Sequence, residues 1–295
     1  MRKHPIILGL CLLLLVGLFF LLLMALGGNL FGKHSLGWGE HVGVVTIEGI
    51  IRNSREITRQ LDEFGKDNSV KAIVVRIDSP GGGVTPAQEI HDAVLSVKKK
   101  KKVVASMGAI AASGGYLIAC AADRIVASPG TVTGSISAIM HFANVEELLK
   151  KIGLKSSVIK SGRFKDIGSP TRAMTEDEKA LIQSLVDDTY DQFLEIVAKD
   201  RRISKDDLRK IADGRLFTGR QAQKIGLVDE LGDLSYAARL AGTLSGIQGE
   251  PDIVYPVKKK SNFWELIFQQ AVTTLMVEMQ KSETRSEGLN YVYER

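Results

Sequence analysis

Residues 70–84, VKAIVVRIDSPGGGV, constrain the fold more than any other stretch of this chain. VKAIVVRID is a nearly continuous apolar run, the pattern of a strand buried on both faces. Three glycines follow it after Ser79 and Pro80. TPAQEIHDAVLSVKKK then reads as a helix, with Pro86 in its first turn. A doubly covered strand that passes through a tight turn into a helix is the unit of a parallel βα layer.

The same alternation recurs along the chain. VGVVTIEG (42–49) is a β-branched strand, and SREITRQLDEFGKD places Ile57, Leu61 and Phe64 at helical spacing behind Ser54 as N-cap. KVVASMG (102–108) and RIVAS (124–128) are strands on either side of the helix SGGYLIACAA. VEELLKKIG is a helix, and KSSVIKSGRFKDIGSP is a strand that leads into a loop. Residues 175–201 form a long amphipathic helix whose start, Thr175 followed by Glu178, fits a capping box. TGRQAQKIGLVDEL and LSYAARLAG are shorter helices, and PDIVYPVKKK is a last strand. The predicted class is α/β. The expected division is a cytoplasmic stub and anchor (1–28), a Gly-rich linker (29–41), a main domain (42–250), and a C-terminal strand, apolar helix and charged tail (251–295).

The anchor rests on MRKHPIILGLCLLLLVGLFFLLLMALGGN. No charge interrupts it from Pro5 to about Leu26, and about 20 apolar residues span a bilayer as a helix. A cleaved signal peptide would carry a shorter apolar region, about 7–15 residues. Arg2 and Lys3 favour a cytoplasmic N-terminus, which puts the body of the protein outside the cytoplasm. Membrane lipid is therefore an expected partner, through residues 6–26. Nucleic acid is not: the net charge is only +5, aromatics are 6%, and no basic stripe is interleaved with aromatics. The two cysteines, Cys11 and Cys120, carry no disulfide signal.

Three places hold candidate chemistry. The glycines of RIDSPGGGV let backbone N–H groups face a bound oxygen, or they are a plain turn. No Gly-Lys-Ser/Thr closes the loop, so it is not a phosphate cradle, and neither a metal nor another cofactor is expected. Ser113 stands among small residues at a strand-to-helix corner, where a cap and a nucleophile are compatible roles. The positive end of a helix favours a developing oxyanion. A serine hydroxyl needs a base. His91 or His141, with Asp78 or Asp123, would make a triad. Lys165, in the small-residue loop SGRFKDIGSPTR, would serve if it were held neutral, and otherwise is a loop lysine paired with Asp166.

DSPGGGV, GAIAASGGYLIACAADRIVASPGTVTGSIS and SGRFKDIGSPTR, in that order, resemble the signal peptide peptidase A family of membrane-anchored serine proteases over residues 42–245. The resemblance implies a Clp-protease/crotonase fold of repeated ββα units, in the short form with a single catalytic half. It implies a Ser/Lys dyad, with Ser113 as nucleophile and Lys165 as general base. Ser135 would orient the lysine amine, and backbone N–H groups of Gly82 or Gly83, with Gly114, would form the oxyanion hole. It implies remnant signal peptides as substrates, a bacterial inner-membrane location, and a homo-oligomeric ring in which Lys165 can serve a neighbour's Ser113. A crotonase acting on acyl-CoA, another membrane serine protease of the superfamily, and a non-catalytic peptide-binding scaffold are the rivals. The apolar helix 262–280 reads as a packed helix of the assembly, as a membrane-surface helix with Lys258 to Lys260 at anionic headgroups, or as part of a tail that enters a neighbour's site.

Overall fold

The computed structural model describes residues 13–19 and 40–257. Residues 13–19 are helical; the rest of the expected anchor, most of the linker and the 262–280 helix lie outside the described residues. Among the described residues, no helix is long and apolar enough to cross a membrane. The chain divides into two units at Tyr255/Pro256, and the account below concerns the first.

One eight-stranded sheet organises it. Strands β1 (His41–Glu48), β2 (Val70–Ser79) and β3 (Lys102–Ala112) run parallel at its centre, and β8 (Asp252–Val254) extends the β1 edge. β3 is long enough to hold two further partners in succession. Val104–Met107 pair with β4 (Arg124–Ala127), and Ile110–Ala112 pair with β5 (Val132–Gly134). β6 (Leu216–Thr218) joins β5 antiparallel, and β7 (Glu230–Leu231) joins β4. This is a mixed α/β sheet consistent with a Clp/crotonase-like fold.

The apolar runs are explained by cover on both faces. Val42, Val44, Ala72, Val74, Val104 and Val126 pack under Ala237, Ala238 and Ala241 of helix α8 (Leu234–Ser245). Their neighbours in sequence, such as Val45, Ile73, Val75 and Ala105, face the opposite way. There they meet Leu61 of α1 (Arg55–Lys66), Ile90 and Val94 of α2 (Val84–Lys98), Ile118 of α3 (Gly114–Cys120) and Leu194 of α5 (Glu176–Arg201). Burying one such aliphatic side chain is worth about 1.5–3 kcal/mol. The remaining helices are α4 (Glu146–Lys151), α6 (Lys205–Arg209) and α7 (Gly219–Lys224).

Three local expectations fail, one of them in part: the helix expected over TGRQAQKIGLVDEL ends at Lys224, and its last two residues form β7. Ser54 precedes α1 but sits at φ −103°, ψ −22°, and its side chain does not cap the helix; its hydroxyl donates to Glu89 instead. Residues 155–160 form no strand, because an extended segment becomes one only when a neighbour completes its hydrogen bonds, and none lies beside it. The capping box of α5 is present in full.

Candidate active site

β3 ends at Ala112 and α3 begins at Gly114, so Ser113 alone makes the corner. Its backbone is left-handed, at φ 52° and ψ −122°. Such a conformation costs about 1–3 kcal/mol and persists only where the surroundings impose it. Here the Ser113 N–H donates to the Gly134 carbonyl at 2.8 Å, and its carbonyl accepts the Leu117 N–H at 2.9 Å. A sharp strand-to-helix turn of this kind presents its hydroxyl to solvent. Ser135 is placed alongside by register: Ala112 pairs with Gly134, and each serine is the next residue. Ser135 is left-handed too, at φ 51°, with its N–H donating to the Arg215 carbonyl at 2.9 Å.

The glycine turn lies against this corner. The Ser79 hydroxyl donates to the Gly49 carbonyl at 2.6 Å and accepts the Gly81 N–H at 3.1 Å. Gly81 has φ 103°, and a Cβ there would stand 2.8 Å from the Ser113 Cβ and 2.9 Å from the Gly114 nitrogen. Ile51 fastens the turn, donating to the Gly81 carbonyl at 3.0 Å and accepting the Gly83 N–H at 2.8 Å. The Gly83 N–H is thus engaged within the chain. The N–H groups of Gly82 and Gly114 remain, and the Gly82 nitrogen lies 3.6 Å from where a Gly114 Cβ would be. Both glycines and Ser113 line a cavity of about 340 Å³, whose apolar walls include Leu117, Ile139, Met140, Leu185 and Phe193.

The other titratable groups are held elsewhere. His91 is buried, with Nε2 2.7 Å from Asp200 and Nδ1 3.1 Å from Asp92. Asp78 accepts the Ile110 N–H, and Asp123 accepts the Val103 N–H. The structure therefore joins His91 to neither aspartate. His141 is exposed. Cys120 is buried inside α3, and burial pushes its thiol up to about 12, which makes it inert as a nucleophile. Lys165 lies on an exposed turn and is not among the residues lining the cavity. It does not pair with Asp166, whose carboxylate is taken by Lys160 and Arg172. Sequence reasoning missed Ile51 and Arg172. It also missed the cavity wall from α5, signalled only by the apolar stripe of that helix.

Comparison with known proteins finds matches to two peptidase family models. Residues 96–248 match peptidase family S49, and residues 44–133 match the Clp protease family. "Putative protease slr0021" of Synechocystis sp. is 46% identical over 189 residues, 64% of this chain and 68% of that protein. "Putative protease MJ0651" of Methanocaldococcus jannaschii is 34% identical over 281 residues, 89% of this chain and 88% of that protein. "Putative signal peptide peptidase SppA" of Enterococcus faecium is 37% identical over 181 residues, 61% of this chain and 53% of that protein.

Proposed function

The chain belongs to peptidase family S49, and from that premise we propose a membrane-anchored serine endopeptidase that degrades cleaved signal peptides and similar apolar peptides through a Ser113/Lys165 dyad. The observation that carries this reading is the left-handed Ser113 corner beside the N–H groups of Gly82 and Gly114, opening into an apolar cavity.

The chemistry follows from that arrangement. The neutral Lys165 amine takes the Ser113 hydroxyl proton as Oγ attacks the peptide carbonyl carbon. Gly82 and Gly114 donate to the oxyanion, and Ser135 orients the amine. The tetrahedral intermediate collapses as the lysine ammonium returns the proton to the departing amine. Water, activated by the same lysine, then releases the acyl group from Ser113.

Every residue from Lys150 to Lys165 is exposed, including the apolar Leu154, Val158 and Ile159. A lysine that acts as a general base needs a desolvated site. In this reading a neighbouring copy covers the segment, and Lys165 is delivered to that copy's Ser113. The span 6–26 holds the assembly at the inner membrane, with the catalytic body outside the cytoplasm.

The test is cleavage of an apolar peptide in detergent by wild type, Ser113→Ala, Lys165→Ala and a co-assembled mixture of the two variants. Both single variants are expected to be inactive, with the mixture regaining part of the activity. Full activity in either single variant would overturn the dyad. A mixture that assembles but stays inactive would confine the dyad to one chain.

A further inference from the structure

Arg172 has no part in the chemistry above, yet all of its donors are used. Its Nε donates to Asp166 Oδ2 at 2.9 Å. Nη1 donates to Glu178 Oε2 at 2.8 Å and to the Ala173 carbonyl at 3.0 Å. Nη2 donates to Glu178 Oε1 at 2.6 Å and lies 2.9 Å from Asp166 Oδ1. Glu178 is only 3% exposed, and it also accepts the Thr175 N–H at 2.9 Å as part of the α5 capping box. Asp166, which follows Lys165 directly, is held from the other side by Lys160. A planar guanidinium that bridges two carboxylates fixes direction as well as distance, and a lysine cannot reproduce that fork.

We propose that Arg172 is a positioning residue: it ties the turn carrying Lys165 to the first turn of α5, and so sets where the lysine amine can reach. The inference rests on the assignment of Lys165 as the base. The surrounding segment makes this tie consequential, because residues 150–165 have no buried side chain to locate them and α5 supplies a wall of the cavity. The clasp also outlasts mild acid. Arg172, followed by the Thr175 N–H, holds the Glu178 carboxyl at about 2, and Arg172 with Lys160 holds Asp166 below the usual carboxylate range.

The experiment compares the assembled wild type with Arg172→Ala, Arg172→Lys, Glu178→Gln and Lys165→Ala, measuring kcat and KM on one apolar peptide across pH. Oligomeric state and thermal midpoint are recorded for each. Misplacing a base by about 1 Å costs about 100-fold. Arg172→Ala is therefore expected to lower kcat about 10- to 100-fold with KM nearly unchanged, and to move the ascending limb of the pH profile upward. Arg172→Lys should recover only part of the loss, and Glu178→Gln should lose less than Arg172→Ala. A wild-type kcat and pH limb in Arg172→Ala, with Lys165→Ala inactive, would overturn this inference alone. A fall in kcat and KM together with lost assembly would also overturn it, as a structural role. Activity in Lys165→Ala would overturn the base assignment and this inference with it.

Discussion

The corner that carries Ser113 is enclosed by its own chain, and the segment that carries Lys165 is not. Around Ser113, β3, β5, the glycine turn and α3 fix the backbone through four named residues: Gly134, Leu117, Gly81 and Ile51. Around Lys165, a wholly exposed run is fixed only by side-chain ties: ion pairs of Lys160, Arg163 and Arg172, and the Thr171 hydroxyl donating to Ser156 at 3.1 Å. The proposed nucleophile is thus placed by the fold of its own chain. In the proposed reading, the base would take its surroundings from a second copy. Damage to the first region should register in stability and activity together, and damage to the second in activity alone.

The sharpest probe is Gly81→Ala. It forces an alanine to φ 103° with its Cβ inside contact distance of Ser113 and Gly114. We expect a loss of about 1–3 kcal/mol in chemical denaturation and a rate reduction of about 100-fold or more. Wild-type behaviour would mean that the corner is not held as described. Next comes Val158→Asp with Ile159→Asp. Denaturation should change by no more than about 0.5 kcal/mol, because neither side chain is buried in the chain. Activity at dilute enzyme should fall about 10-fold or more, as when an apolar anchor worth about 2 kcal/mol is removed from an interface. Unchanged activity and oligomeric state would break the comparison.

Tyr116→Phe is a smaller perturbation. It removes the buried hydroxyl that donates to the Leu227 carbonyl at 3.0 Å, and Tyr116 is not among the residues lining the cavity. A stability loss of about 1 kcal/mol is expected, seen as a lowered melting midpoint, with kcat kept. The smallest effect is acid dependence. The folded Glu178 carboxyl lies at about 2, below an unfolded value of about 4.3. Its contribution is therefore complete above the unfolded value and fades as pH falls toward about 2. The stability difference between wild type and Glu178→Gln should be flat above about pH 5 and shrink below it. A difference that grew on acidification would reverse that sign.

Much of the sheet was legible because local pattern and burial agree. The run from Val70 has both faces covered, and Thr175 with Glu178 announces the start of α5. β5 was not legible. Three residues of a turn-rich stretch become a strand only because the far end of β3 is free to pair with them. Residues 155–160 failed in the opposite way, since a β-branched pattern without a neighbour makes no strand. At the site, Ser113 and the glycine turn could be singled out by their small-residue surroundings, while their roles came from the family resemblance. That Ser135 is adjacent to Ser113 depends on strand register. That Gly82 rather than Gly83 retains a free N–H depends on Ile51, more than 30 residues earlier. The Lys165 loop could be singled out, but its tie through Arg172 required side-chain geometry.

The bond from Ser113 to Gly134, and from Ser135 to Arg215, has a consequence for the order in which this protein comes into being. A chain synthesised from its N-terminus presents the serine first, the strand that pins it about 20 residues later, and the strand that pins Ser135 only after residue 215. Contacts so distant in sequence form late. A fragment ending near residue 210 should consequently resist labelling by a serine-directed fluorophosphonate, whereas the full chain reacts. On the proposed reading, the serine stays unarmed until the chain has been made past residue 215.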